Sequence, residues 1–135
     1  MADKINLEVV TPERRLLAET VDAVTVPGAT GEVGVLPGHT PLISLLKTGV
    51  LSYTQGGSTK KMMVSGGFVE VAEDRVSVLA DMAEMPGDIG LERAKQDRDQ
   101  AEKALNAAGS DATAVEAAQL NFDRAATRFQ LASEN

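Results

Sequence analysis

A chain of 135 residues suits one compact domain with a small appendage and is too short for two full domains. The formal net charge of -7 argues against nucleic acid, whose phosphates are held by clustered Lys and Arg, and against adhesion to an acidic lipid surface. With no cysteine and one histidine, disulfides and thiolate catalysis are excluded, and a zinc or copper site would have to be built mostly from carboxylates.

Hydrophobic residues make up 43% of the chain but aromatics only 3%, so any core must be assembled from Val, Leu, Ile and Ala. The opening MADKINLEVV carries no charged leader with a long apolar run, and no stretch approaches the roughly 18 apolar residues needed to span a bilayer. A soluble, unexported protein is expected, held at any membrane by another protein. From Ile5 the pattern has period two: Ile5, Leu7 and Val9 alternate with Asn6 and Glu8, a half-buried strand that ends at Thr11-Pro12. Leu16-Leu17 form a short second element, and Val21 to Val26 a further strand.

Residues 26 to 51 are punctuated by Gly28, Gly31, Gly34, Gly38 and Gly49, with Pro27, Pro37 and Pro41 between them. No helix survives that spacing, so the segment must be turn, short strand at Val33 to Leu36, turn, and another short apolar element. A phosphate cradle would need G-x-G-x-x-G opening a helix, or Gly-Lys followed by Ser or Thr, and neither pattern occurs here. Gly49 to Thr54 and Thr59 to Val64 flank Gln55-Gly56-Gly57-Ser58 as a hairpin. Gly66-Gly67 permits a sharp bend before Phe68 to Val71, and Val76 to Ala80 reads as the last strand. Short strands at this spacing indicate an antiparallel sandwich or barrel ending near Ala83.

Past Met85-Pro86-Gly87 proline disappears, alanine becomes common and apolar residues fall at helical spacing. Asp88 is expected to cap a first helix running to about Ala108; Gly109 can end it, and Ser110 or Asp111 can cap a second running to about Ala132. Val115, Ala118, Phe122, Ala125, Phe129 and Ala132 form one stripe; Leu91, Ala94, Arg98, Ala101, Leu105 and Ala108 form its partner in an antiparallel hairpin. A seam made mainly of alanine buries little apolar area. The hairpin is therefore either a mobile arm or a permanently packed terminal element.

Few residues point to chemistry. His39 lacks an evident nucleophile and orienting acid, and Glu32 alone is a turn carboxylate. Asp97, Asp99 and Glu102 interleave with Lys95, Arg98 and Lys103, a pattern that usually marks a solvated face. Arg124 and Arg128 lie one turn apart, and two guanidiniums on one face either grip a carboxylate or phosphate or stand solvated.

Four ordered stretches resemble the epsilon subunit of the F-type ATP synthase. They are Leu7-Glu8-Val9-Val10-Thr11-Pro12; Val26-Pro27-Gly28 with Gly31-Glu32-Val33-Gly34 and Leu36-Pro37-Gly38-His39; Ser65-Gly66-Gly67-Phe68-Val69-Glu70-Val71; and Ile89 with Arg93-Ala94. The resemblance implies a fold that is mainly β and then α: an N-terminal antiparallel β-sandwich over residues 1–86 and a C-terminal antiparallel two-helix hairpin over 87–135. It implies a central-stalk rotor subunit that couples the catalytic head to the c-ring, catalyses nothing itself, and regulates or inhibits ATP hydrolysis through its hairpin. The implied partners are the gamma subunit, the c-subunit ring, and the alpha and beta subunits when the hairpin is extended rather than docked. No nucleic acid and no direct membrane insertion are implied. The implied location is peripheral, on the cytoplasmic face of a bacterial inner membrane.

By the same resemblance Glu32 and His39 become partner contacts, and Arg124 and Arg128 an inhibitory pair facing acidic residues of the head. Some members bind regulatory ATP through Ile or Leu, Asp, two variable residues, Arg and Ala, with arginines on the second helix. Here the matching residues are Ile89, Arg93, Ala94, Arg124 and Arg128, while Gly90 stands in place of the Asp. A rival reading is a free-standing binding module that dimerises through its hairpin, whereas a stalk subunit alone should be a monomer. An enzyme is a third class, for which no constellation is evident.

Overall fold

The computed structural model describes residues 4–134. Met1 to Asp3, where the segment read for a leader begins, and Asn135 lie outside the described residues. The chain divides into two compact units, Met1–Glu84 and Met85–Asn135, where the sequence reading drew the boundary after residue 86.

The first unit holds ten strands among the described residues: β1 Ile5–Val10, β2 Arg15–Val21, β3 Ala23–Gly28, β4 Gly31–Val35, β5 Leu42–Leu45, β6 Gly49–Gln55, β7 Ser58–Ser65, β8 Phe68–Ala72, β9 Arg75–Leu79 and β10 Met82–Glu84. They form two five-stranded sheets, ordered β2-β1-β9-β8-β5 and β10-β7-β6-β3-β4. Period-two patterning decides which face goes inward. Ile5, Leu7 and Val9 of β1, Val69 and Val71 of β8, and Val76 and Val78 of β9 are all buried, as are Val24, Val26, Leu51, Tyr53 and Met62 of the second sheet. Each fully buried side chain of this kind contributes about 1.5–3 kcal/mol, so the sandwich rests on many moderate terms rather than a few aromatic ones.

Several details differ from the sequence reading. The sandwich is antiparallel except that β1 runs parallel to β9, with Leu7 opposite Val76. Alternation fixes which face a strand buries and leaves its direction open, and no hairpin ties these two strands together. The element at Leu16-Leu17 extends over seven residues to Val21, because Ala18, Glu19 and Thr20 pair with β1 although none is buried. The expected strand from Val21 to Val26 breaks at Asp22, whose carboxylate pairs with Lys4 and accepts the Gly56 N–H at 3.0 Å. The short β10 follows the strand read as the last one.

Two glycine turns are decisive. Gly56 and Gly57, both at positive φ (58° and 84°), close the β6–β7 hairpin in the two-residue form that favours glycine. At the corner before β8, a Cβ on Gly67 would lie 1.9 Å from the Leu79 carbonyl oxygen, with φ at +88°. Only glycine fits there.

The second unit opens with a 3-10 turn, Pro86–Asp88, followed by α1 Leu91–Asn106 and α2 Ala112–Glu134. Asp88 does not cap α1. Proline at the start of the short turn absorbs it, and Gly90 occupies the N-cap with no side-chain bond to offer. Gly109 turns the chain at φ +74°, and Asp111 caps α2 by accepting the Thr113 N–H at 3.0 Å. Ala94 and Ala101 of α1, with Ala125 and Ala132 of α2, are buried in the seam. Leu91 departs from its expected place: it is 49% exposed, and Ile89, still extended before the helix begins, is buried instead at 7%.

Candidate interaction sites

On the hairpin, the helical spacing of α1 brings Arg93 and Asp97 onto one face, and the antiparallel return of α2 brings Arg128 to the same carboxylate. Arg93 Nε donates to Asp97 Oδ1 at 2.9 Å, and Arg128 Nη1 lies 3.4 Å from Asp97 Oδ2. The hydrogen bond from Arg93 holds the Asp97 carboxyl below its ordinary value of 3.8; partial desolvation opposes this, and the charges of Arg93 and Arg128 reinforce it. Of the five residues expected at a nucleotide site, the structure thus brings Arg93 and Arg128 together. Arg124 lies one turn earlier on α2, partly buried. Ile89 and Ala94 are seam residues, 7% and 1% exposed, so they shape the site and present little side-chain surface to a ligand.

Asp97 itself is the residue that sequence reasoning missed. Its interleaved charges suggest a solvated face, yet it joins the two helices. The i, i+4 spacing to Arg93 was the available signal, and the Arg128 contact appears only once the hairpin register is known. At Gly90 a Cβ would meet no heavy atom within 4 Å, and φ is -79°, so an aspartate could be accommodated there without strain.

On the sandwich, Glu32 is exposed on β4, opposite Pro27 in the β3–β4 ladder. His39 follows in the next turn, where its N–H donates to the Leu36 carbonyl at 3.1 Å and its Nδ1 lies 2.6 Å from the Thr40 carbonyl oxygen. Because a carbonyl only accepts, Nδ1 carries the proton in that contact. Both residues lie along the margin of the second sheet formed by its edge strand β4 and the turn after it.

A third surface was not foreseen. Leu45, Phe68 and Leu79 lie side by side in register across β5, β8 and β9, and Val10 of β1 continues the row beyond Leu79. They point away from the core, with exposures of 67%, 42% and 39% for the first three, and Ile43 on β5 is exposed at 69%. Thr11 and Pro12 help line a shallow depression of about 510 Å³ beside the row. An in-register apolar row on an outer face is the kind of surface that a partner covers. Its sequence signal is parity: Phe68 and Leu79 fall out of phase with the buried valines beside them.

Family models place both units. The model described as "ATP synthase, Delta/Epsilon chain, beta-sandwich domain" matches residues 4–86, and that described as "ATP synthase, Delta/Epsilon chain, long alpha-helix domain" matches residues 88–133. The chain belongs to the ATP synthase delta/epsilon family. Similar members include the ATP synthase epsilon chain of Desulforamulus reducens, 45% identical over 132 residues that span 98% of this chain and 99% of that one. The epsilon chain of Carboxydothermus hydrogenoformans is 51% identical over 105 residues, 78% of each chain. In fold, the chain resembles one from the Euglena gracilis mitochondrial ATP synthase (OSCP/F1/c-ring), with a TM-score of 0.82 at 22% identity, covering 100% of this chain and 84% of that one. It also resembles one from the central stalk and c-ring of the Tetrahymena thermophila mitochondrial ATP synthase, with a TM-score of 0.67 at 13% identity and 96% coverage of each. No helix among the described residues is long and apolar enough to cross a membrane.

Proposed function

We propose that this chain is a non-catalytic central-stalk subunit of an F-type ATP synthase, joining the gamma subunit to the c-subunit ring on the cytoplasmic face of a bacterial inner membrane. The observation that carries the reading is the apolar row Leu45, Phe68 and Leu79 with Ile43, which offers a gamma subunit a flat, largely apolar sheet face. Glu32 and His39, on a separate margin, supply polar contacts to the c-ring. Two rotor partners on two faces of one small sandwich would let it carry torque between them.

The hairpin is the regulatory part in this reading. Arg124 and Arg128 of α2 would engage acidic residues of the alpha and beta subunits and oppose ATP hydrolysis. A nucleotide phosphate would compete at Arg93 and Arg128, which Asp97 bridges in the structure. Gly90 weakens that second role, because the family's aspartate is missing at the first turn of α1.

The test is ATP hydrolysis by a gamma-containing catalytic core, titrated with the full chain and with a form ending near Gly87. Inhibition by the full chain alone would support both the stalk role and the hairpin as a brake. Binding by both forms with inhibition by neither would leave a coupling piece without control. If neither form bound the core and the chain ran as a homodimer, the stalk reading would give way to a dimeric binding module.

A further inference from the structure

The seam between α1 and α2 contains one residue that alanine-on-alanine packing does not need. Arg98, at the middle of α1, lies with its guanidinium carbon 4.7 Å from the centroid of the Phe129 ring on α2. Its Nη2 donates to the neighbouring Asp99 at 2.9 Å, but its Nε is removed from solvent and has no hydrogen-bond partner among the described residues. The seam is thereby divided: Ala94 and Ala132 lie towards one end, Ala101 and Ala125 towards the other.

An Nε–H without an acceptor has lost its water and gained nothing in return. Stacking on Phe129 recovers part of that, and the Asp99 pair recovers little because both side chains are substantially exposed, 34% and 47%. Separating the helices would restore water to every donor of the guanidinium. Flanking alanines oppose separation only weakly, since each has a single methyl group to bury.

We propose that Arg98 is a built-in opening device, a charged residue held between the helices so that the closed hairpin lies close in free energy to an opened one. Its consequence for inhibition rests on the brake reading above; the bias towards opening does not. A methionine at this position would keep the length and the packing against Phe129 while removing the unsatisfied donor.

Hydrogen exchange of the full chain, wild type against Arg98→Met, tests this on the amides of residues 94–101 and 125–132. Exchange should slow about tenfold in the variant, as expected when a poorly satisfied buried charge gives way to an apolar group in a locally opening element. Unchanged or faster exchange at those amides would overturn the proposal. Hydrolysis by the gamma-containing core, titrated with the same two proteins, separates the two claims. Slower exchange with weaker inhibition supports both; slower exchange with unchanged inhibition upholds the opening device and counts against the brake.

Discussion

Replacing Phe68 by serine is the sharpest probe of the proposed gamma-facing surface. A phenylalanine side chain carries about 200 Å² of apolar area, and Phe68 is 42% exposed, so roughly 80 Å² is available for a partner to cover. At about 25 cal/mol per Å² that corresponds to at most about 2 kcal/mol, or roughly a 30-fold loss of affinity. The loss should appear in binding to the gamma-containing core, measured by titration calorimetry. The part of the ring already covered by its neighbours makes the fold somewhat sensitive too, so the thermal midpoint of the free chain must be measured alongside. Affinity that is unchanged while the free chain stays folded would refute the assignment of this face to a partner. An affinity loss matched by an equal loss of stability would reduce Phe68 to a packing residue.

Three further outcomes are expected. Gly67→Ala should destabilise the sandwich by more than about 3 kcal/mol, because a Cβ 1.9 Å from a backbone oxygen at φ +88° cannot be relieved by a rotamer change; denaturant unfolding would register it. Asp97, with its carboxyl held below 3.8 in the folded chain, contributes stability that is present above that value and is lost as pH falls through the lower folded value. Acid titration of hairpin helicity should therefore lose a transition below about pH 4 in Asp97→Asn, and an unchanged profile would remove Asp97 from the account. Gly90→Asp should stabilise α1 by only about 0.3 kcal/mol, because glycine already serves as an N-cap and an aspartate adds the side-chain bond it lacks, and should strengthen any MgATP binding seen by calorimetry. Heat absent from both proteins at millimolar MgATP would dismiss nucleotide sensing.

Much of the sandwich was legible because its signals are local. Ile5, Leu7 and Val9 announce a half-buried strand by parity, and Gly56-Gly57 announces a hairpin by backbone conformation. The parallel pairing of β1 with β9 was not legible, since seven strands intervene and nothing in either segment encodes a direction. The apolar row escaped for a related reason: Leu45, Phe68 and Leu79 are far apart in sequence and become neighbours only through sheet register. On the hairpin, the arginines could be named from their spacing and from family resemblance. Their shared carboxylate could not, because the Asp97–Arg128 contact joins residues 31 apart and depends on the turn at Gly109.

The two units are built on opposite energetic principles, and that contrast gives the regulatory reading its physical footing. The sandwich core is continuous and apolar, so its parts rise and fall together and it can carry a load without changing form. In the helical unit Leu131 and Ile89 are the large buried apolar side chains, the seam alanines add single methyls, and much of the specificity lies in charge: Asp97 with Arg93 and Arg128, and Arg98 against Phe129. Contacts of that kind can be exchanged one for another, since a phosphate or a partner carboxylate offers Arg93 and Arg128 the same geometry that Asp97 does. A bound anion must displace Asp97 before it gains anything, and the displaced carboxylate returns to water at little cost because it is already partly exposed. In the proposed regulation, binding at the hairpin would be a competition between carboxylates and phosphates for one pair of guanidiniums, and its outcome would bear on whether α1 and α2 stay joined at that point.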